Sequence, residues 1–260
     1  MRRISGKSNA LLKDFRRAGR GDDLALVEGP KLLGEALAAG VEIRAALVAD
    51  AALEEFEELL RSCTEIGADV ASAPERLLAS VGDAVTHRGI VALAALKKLE
   101  LSELPLSAEP LLVAADAVQD PGNLGAIVRS AAAFGAEALI ALPGSANPFG
   151  AKAIRGSAGA CFRLPIAVAE VEELPPWLRA QEIALVGLDR RGCTPLTDYD
   201  FRKPCAIIVG SEGSGLSPEL LGAADALVSI PIAGAVESLN AAVAVSIALF
   251  EAARQRGEAS

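Results

Sequence analysis

Polar side chains that could act on a substrate are concentrated in three short segments of this chain. The first segment, residues 116–129, contains the turn signal Asp-Pro-Gly, which predicts that Asn123 lies at or near a helix N-terminus. Arg129 lies further along among apolar neighbours. A guanidinium group is permanently charged, so an arginine in such surroundings needs an anionic partner. The segment therefore predicts either an anion-binding site or a structural ion pair.

The second segment, residues 210–218, is rich in glycine and carries one acid. Gly210, Gly213 and Gly215 fall within six residues, and Glu212 lies between them. Glycines let the backbone approach a ligand closely, and the amide groups of such a loop can act as donors. The order is GxxGxG and no P-loop lysine follows, so the pattern differs from both the dinucleotide and the P-loop fingerprints. A dinucleotide-dependent oxidoreductase is therefore disfavoured.

The third segment, residues 230–241, runs from the end of an apolar stretch at Ile230 into the last predicted helix. Ser238 is a suitable N-cap, so we predict that this helix starts near Ser238, and capping is also the purely structural explanation of that serine. Asn240 would then lie in the first turn of an otherwise aliphatic helix. A polar amide at that position indicates a functional role.

Short apolar runs in the C-terminal half predict the elements that position these segments. The runs lack polar alternation, which is typical of parallel strands buried on both faces, and they are residues 111–115, 138–142, 183–188, 206–210 and 227–230. Helical patterns lie between them, notably at residues 124–134 and 238–254. In open α/β sheets ligands bind at the carboxyl ends of the strands. We therefore expect the three polar segments to converge on one edge of a sheet.

The N-terminal half predicts a second, smaller α/β domain. Strands are expected at residues 24–28, 43–48 and 90–96, and helices at residues 31–39 and 51–66. Residues 100–110 contain two prolines and no periodicity, so they are predicted to be a linker. The expected domains are residues 1–99 and residues 111–260.

The chain is acidic overall, but its first residues are basic. Its 260 residues carry a net charge of −9. Residues 1–20 nevertheless contain one acid, Asp14, and seven basic residues: Arg2, Arg3, Lys7, Lys13, Arg16, Arg17 and Arg20. Such asymmetry predicts a basic arm that binds an anion such as nucleic acid, with a solvated, partly disordered terminus as the alternative.

Composition removes several classes of function. The four cysteines are scattered without a CxxC pair, so we expect reduced, mostly buried thiols and no zinc site. One histidine in the whole chain, His87, leaves little scope for Ser-His or His-metal chemistry. No apolar run reaches the ~18 residues of a membrane span, and the start lacks a secretory signal. We therefore expect a cytoplasmic protein without a metal.

Together the three segments resemble the signature motifs of the SpoU (TrmH) family of RNA ribose 2'-O-methyltransferases, in the SPOUT superfamily. The resemblance covers residues 111–254, and residues 152–160 also resemble a family stretch between the first two motifs. Residues 1–99 resemble the RNA substrate-binding domain that commonly precedes this catalytic domain and is similar to ribosomal L30e and L7Ae proteins. One departure is Ser211, where several relatives have asparagine.

The resemblance implies an α/β fold whose C-terminal domain forms a trefoil knot, and a homodimer with its active site near the subunit interface. It implies that S-adenosylmethionine binds in the knot. The positions that match the family's cofactor-binding residues are Gly210, Ile230 and Leu239, and those that match its catalytic residues are Asn123, Arg129, Glu212, Ser238 and Asn240.

The predicted function is S-adenosylmethionine-dependent 2'-O-methylation of a ribose in structured RNA. Ribosomal RNA is favoured over transfer RNA, because an L30e-like domain is common among relatives that act on it. The alternative is a non-catalytic RNA-binding protein of the same fold. Arg129 stays protonated and is a poor base, so we expect it to clamp a phosphate and stabilise the developing alkoxide.

Overall fold

The computed structural model describes residues 1–18, 24–82, 87–234 and 237–257. Arg20 of the predicted basic arm, and Ala235 and Val236 of the third polar segment, lie outside these ranges. The chain divides into two compact units. Unit 1 is Met1–Lys97 with Phe149–Phe162, and unit 2 is Lys98–Pro148 with Arg163–Ser260.

Strands and helices alternate along most of the described chain. The strands, numbered in chain order, are β1 (Arg2–Arg3), β2 (Leu24–Glu28), β3 (Glu42–Ala49), β4 (Asp69–Ala73), β5 (Ile90–Ala95), β6 (Leu111–Ala115), β7 (Ala138–Ala141), β8 (Ile166–Val168), β9 (Ala184–Leu188), β10 (Thr194–Pro195), β11 (Cys205–Val209) and β12 (Ala226–Ser229). The α-helices are α1 (Ala10–Arg17), α2 (Pro30–Ala38), α3 (Glu57–Glu65), α4 (Glu75–Leu78), α5 (Pro121–Ala133), α6 (Ala151–Ser157), α7 (Leu174–Ala180), α8 (Pro218–Ala223) and α9 (Ala241–Arg256). None of these helices has the length and apolarity needed to cross a lipid bilayer.

Unit 1 is built on a five-stranded mixed sheet in the order β1-β4-β3-β5-β2. β1, β4 and β3 run parallel, whereas β5 pairs antiparallel with both β3 and β2. The three strands expected from the sequence are present. The helix expected over residues 51–66 is shorter, because a 3-10 turn at Asp50–Ala52 precedes α3. β1 and β4 were not predicted, since one is very short and the other consists mainly of small residues.

The basic N-terminal segment is folded and forms part of unit 1. β1 pairs with β4, and α1 buries Leu11, Leu12 and Phe15. Arg3 is hydrogen-bonded to Asp50, and Arg2 forms an ion pair with an aspartate of β4. The alternative of a partly disordered terminus is therefore wrong for residues 1–18. The physical reason is the buried apolar face of α1, which is not evident from the charge pattern.

Residues 149–162 belong to unit 1 although they lie between two strands of unit 2. Helix α6 packs on β2, and its Arg155 forms an ion pair with Glu28, whose side chain is 2% exposed. A buried carboxylate is costly unless it is paired, so this contact stabilises the packing of residues 149–162 in unit 1. The predicted single domain of residues 111–260 did not anticipate it.

Unit 2 is built on a seven-stranded sheet in the order β10-β12-β9-β11-β6-β7-β8. Every pair of neighbours is parallel. All residues of β6 and β11 are buried, which agrees with their uninterrupted apolar sequence. The five predicted strands are confirmed to within a residue at each end, whereas the short β8 and β10 were not predicted.

The predicted linker, residues 100–110, is part of unit 2. Leu101 is buried in its apolar core, and Leu104 and Leu106 pack on the same cluster. The segment also forms a short 3-10 turn with a capping box between Glu100 and Glu103. The two prolines therefore mark an irregular but covered stretch of chain.

The thiols of the chain are free, as expected, and three of them are buried. Cys63, Cys161 and Cys205 are buried, and Cys193 is exposed. Burial raises the pKa of each of the three buried thiols to about 11. These three groups are consequently neutral core residues at neutral pH.

The C-terminal end of α9 is hydrogen-bonded to segment 199–203. Gln255 exchanges two hydrogen bonds with the backbone of that segment, and Arg256 donates two more to its carbonyl groups. Glu251 accepts hydrogen bonds from Arg254 and Gln255, which lower the pKa of Glu251 to about 2. The orientation of α9 is thereby held at its C-terminal end as well as by its packing against α5.

Candidate active site

A cavity of about 430 Å³ lies at the carboxyl ends of the neighbouring strands β12, β9 and β11. Its walls are formed by the loops after those strands and by the start of α9. Gly210, Ile230 and Leu239, the residues predicted to bind a cofactor, all line it, and so do Glu212 and Ser238. The expected convergence of the second and third polar segments on one sheet edge is observed.

The glycine-rich loop closes on itself. The backbone amide and carbonyl of Ser211 pair with those of Gly215 at 3.0 Å in both directions, and the amide of Ser214 donates to the Ser211 hydroxyl oxygen at 3.2 Å. These three amides bond inside the loop, and donation to a ligand stays a prediction for the other amides of the loop. Ser211, the departure from several relatives, has a structural role in this turn.

Gly210 is required by this closure. A Cβ atom at Gly210 would lie 2.0 Å from the carbonyl carbon of Gly215, whereas one at Gly213 would meet no atom within 4 Å. Gly210→Ala is expected to lower the free energy of unfolding by about 1–3 kcal/mol, because the backbone must shift to relieve the clash. Urea denaturation without ligand would measure this change. The matched control is Gly213→Ala, and equal stability of the two variants would contradict the steric argument.

Three predicted catalytic residues form one hydrogen-bonded cluster. Glu212 Oε1 accepts hydrogen bonds from the side-chain amides of Asn123 and Asn240, the latter at 2.8 Å. The Asn240 amide also lies 3.2 Å from Asn123 Oδ1. The cluster thereby joins the segments that follow β6, β11 and β12, and it fixes the orientation of both amides.

Helix ends position the two asparagines. Asp120 caps α5, because its side chain accepts a hydrogen bond from the backbone amide of Asn123 at 2.9 Å. Asn123 therefore lies in the first turn of the helix, as predicted. Asn240 is itself the N-cap of α9, because its Oδ1 accepts from two amides of the first turn. The prediction that this helix starts near Ser238 was therefore wrong. Ser238 precedes the helix, is exposed and lines the cavity.

Arg129 does not take part in the cluster. It lies on α5, six residues after Asn123, and its side chain is exposed. Within the described ranges it forms no hydrogen bond and no ion pair. The structural ion pair that the sequence left open is thus not observed, and the charge of Arg129 is available to an external anion.

Two further groups near the site were not predicted. Asp116, at the end of β6, is buried and accepts from the Ser217 amide at 2.6 Å, which ties the first segment to the end of the glycine-rich loop. Asp189, Arg190 and Arg191, after β9, line the cavity. In both places the available signal was a charged residue directly behind a predicted strand.

Comparisons with known proteins identify the family. The model of the SpoU rRNA Methylase family matches residues 110–250, and that of RNA 2'-O ribose methyltransferase substrate binding matches residues 26–99. The chain is 38% identical over 246 residues to an uncharacterized tRNA/rRNA methyltransferase of Mycobacterium leprae, an alignment that covers 91% of this chain and 79% of the relative.

Relatives with assigned reactions and solved structures are also similar. The chain is 37% identical over 206 residues to a 23S rRNA (uridine(2479)-2'-O)-methyltransferase of Streptomyces viridochromogenes, covering 76% of this chain and 71% of the relative. The AdoMet-bound rRNA methyltransferase of Sinorhizobium meliloti superposes with a TM-score of 0.86 at 30% identity, covering 97% of both chains. The SpoU methyltransferase AviRb of Streptomyces viridochromogenes, in complex with AdoMet, gives a TM-score of 0.87 at 30% identity, covering 97% of this chain and 100% of the other.

The chain belongs to the SpoU rRNA methylase family. It is an RNA methyltransferase, and S-adenosylmethionine is its cofactor. The cavity fits this molecule chemically. Apolar side chains such as Leu188, Val209 and Ile230 suit an adenosine, and charged groups at the same wall suit an amino-acid moiety.

Proposed function

We propose that this protein methylates the 2'-hydroxyl of a ribose in ribosomal RNA. The observation that carries the proposal is the cluster of Asn123, Glu212 and Asn240, which reaches the cofactor cavity through Glu212. When bound, S-adenosylmethionine supplies an electrophilic methyl group on its sulfonium. The protein has to orient the acceptor hydroxyl and manage its proton.

A second cavity provides space for the acceptor nucleotide. It has a volume of about 470 Å³, and Asn123, Gln119 and residues 211–214 are among those that line it. Because residues 211–214 line both cavities, the glycine-rich loop forms a wall between the two substrates. An acceptor ribose there lies beside the Asn123 amide, which can orient its hydroxyl groups by hydrogen bonding.

Arg129 is proposed to act on the RNA backbone. A guanidinium is a poor base, so it binds phosphate and stabilises the developing alkoxide instead of taking up the proton. The proton then leaves to phosphate or solvent. Ser238, exposed on the cavity wall, is proposed to contact the reacting groups from the cofactor side.

Residues 1–99 are proposed to be the L30e/L7Ae-like domain that binds the RNA substrate, and residues 111–260 the catalytic domain. The substrate-binding family match over residues 26–99 supports this assignment. So do Lys13 and Arg17, which are exposed on α1 and have no ion pair among the described residues. RNA affinity should therefore fall as salt concentration rises.

We also propose that the catalytic domain forms the trefoil knot of its superfamily and that the enzyme is cytoplasmic. Support for the knot comes from α9, whose end exchanges hydrogen bonds with segment 199–203, far from it in the sequence. Support for the location comes from the RNA substrates named for its relatives.

A homodimer is proposed to form through α9. Val243, Ile247 and Phe250 are 47%, 37% and 50% exposed, and their spacing puts them on one face of the helix. Phe250 also contacts Phe134, the C-cap residue of α5, at a ring-centroid distance of 6.0 Å. Exposed apolar faces of this kind mark protein interaction sites. A second copy of the chain is the proposed partner.

Phe250→Glu is expected to convert the dimer to monomer, because a buried carboxylate without a partner destabilises an apolar interface by several kcal/mol. Sedimentation velocity at a fixed protein concentration would measure the change in mass. The matched control is Ile66→Glu in unit 1, which also replaces an exposed apolar residue. A monomeric wild type, or a dimer that survives Phe250→Glu, would contradict the proposal.

The proposed reaction is tested by transfer of a labelled methyl group into RNA. Unmodified ribosomal RNA and unmodified transfer RNA would be incubated separately with the protein and labelled S-adenosylmethionine. Label in ribosomal RNA, at a site that has become resistant to alkaline cleavage, is the expected result. Label only in transfer RNA would contradict the proposal that ribosomal RNA is the substrate. No label in either RNA, despite measured cofactor binding, would contradict the proposed 2'-O-methylation of these substrates.

A further inference from the structure

The loop after β9 is a tight turn whose shape is fixed by its own residues. The Gly192 amide donates to the Asp189 carbonyl at 2.9 Å, and Asp189 Oδ1 accepts from the Arg191 amide at 2.8 Å. The Arg191 guanidinium binds the same carboxylate through two nitrogens. A Cβ at Gly192 would lie 2.6 Å from the carbonyl oxygen of Leu227, so the turn fits closely against β12.

Arg190 has no part in holding this turn. It occupies the second position, which in most turns accepts many residue types, so the turn itself does not require an arginine. Its side chain is exposed and forms no hydrogen bond or ion pair with residues in the described part of the chain. The turn therefore fixes the backbone of Arg190, whose charge acts on the nearby Asp189 carboxylate without a hydrogen bond and helps to lower the pKa of Asp189.

Arg190 lies on the wall of the cofactor cavity. Arg190 and Arg191 both line it, but Arg191 is engaged by Asp189, and this hydrogen bonding holds the pKa of Asp189 below its usual range. Asp189 consequently stays ionised and keeps Arg191 in place. Arg190 is then the arginine of this wall that is available to an anion inside the cavity.

We propose that Arg190 binds the carboxylate of the amino-acid moiety of S-adenosylmethionine and so determines specificity for ligands that carry it. This inference rests on the proposed cofactor site. A carboxylate matches the two-pronged donor geometry of a guanidinium. An RNA phosphate has the same chemistry, but Arg190 shares its cavity with Gly210, Ile230 and Leu239, which favours the cofactor carboxylate.

The test compares two ligands that differ in this moiety. S-adenosylhomocysteine has the amino-acid part, and 5'-methylthioadenosine has the same adenosine and thioether without it. In calorimetric titrations, Arg190→Ala is expected to raise the Kd of S-adenosylhomocysteine about tenfold, because this ligand offers a carboxylate. The Kd of 5'-methylthioadenosine, which has no carboxylate, should change by less than about twofold. Arg179→Ala removes an exposed arginine of unit 2 outside the cavity and is the matched control.

The possible outcomes separate the inference from the function on which it rests. Equal weakening of both ligands by Arg190→Ala, or no weakening of either, would overturn the carboxylate contact. Weaker binding of RNA with unchanged binding of S-adenosylhomocysteine would overturn it in favour of a phosphate contact. If the wild type bound neither nucleoside, the proposed cofactor site itself would be contradicted, whatever the variant did.

Discussion

Arg129→Ala is expected to lower the rate of methyl transfer to RNA by about 10²- to 10³-fold, the usual cost of removing one group that stabilises charge in a transition state. The side chain is exposed and has no hydrogen bond or ion pair within the described ranges, so its removal leaves no partner uncompensated. Stability and cofactor affinity should therefore stay unchanged. Single-turnover methyl transfer and calorimetric titration of S-adenosylhomocysteine would measure the two effects.

Arg129→Lys distinguishes a bidentate clamp from a simple positive charge. Lysine keeps the charge but lacks the planar fork, so the variant should recover only a small part of the lost rate. Arg179→Ala, on an exposed part of α7, controls for the loss of one positive charge from unit 2. Near-wild-type turnover of Arg129→Lys would contradict the clamp, and full activity of Arg129→Ala would remove Arg129 from the mechanism.

Glu212→Ala is expected to reduce turnover by about 10²-fold, because misplacing groups that orient a reactant is costly. One carboxylate oxygen of Glu212 holds the amides of both Asn123 and Asn240, so its removal frees two amides at once. Asn240 keeps its helix-capping contacts, and the fold should survive. Rates at saturating substrate, with urea denaturation as a check on folding, would measure the effect.

Glu212→Gln provides the internal comparison. Glutamine retains an acceptor oxygen at the same place, so this variant should be more active than Glu212→Ala if positioning is the main role. The double variant that combines Glu212→Ala with Asn240→Ala should have a turnover rate only slightly lower than that of Glu212→Ala alone, since both changes disrupt one network. Glu219→Ala, an exposed acid at the start of α8, is the matched control. Fully additive losses would contradict a shared network.

Features that depend on neighbouring residues could be predicted from the amino-acid sequence alone. Uninterrupted apolar runs predicted the five main strands of unit 2, because a parallel strand buried on both faces must be apolar throughout. Asp-Pro-Gly predicted the start of α5 and thereby the position of Asn123, since a turn and a cap are formed by neighbouring residues. The signature segments also predicted some of the residues that line the cavity, namely Gly210, Glu212, Ile230, Ser238 and Leu239.

Features that depend on residues far apart in the chain became evident from the folded structure. Asn240 caps α9 and also binds Glu212 and Asn123, and no local pattern favours it over Ser238 as the cap. The transfer of residues 149–162 to unit 1 depends on a buried ion pair between residues 127 positions apart. The availability of Arg129 and Arg190 likewise depends on which carboxylates lie near them. The sequence gives the charged residues and their spacing, but the fold determines which of them form ion pairs within the protein and which can bind a ligand.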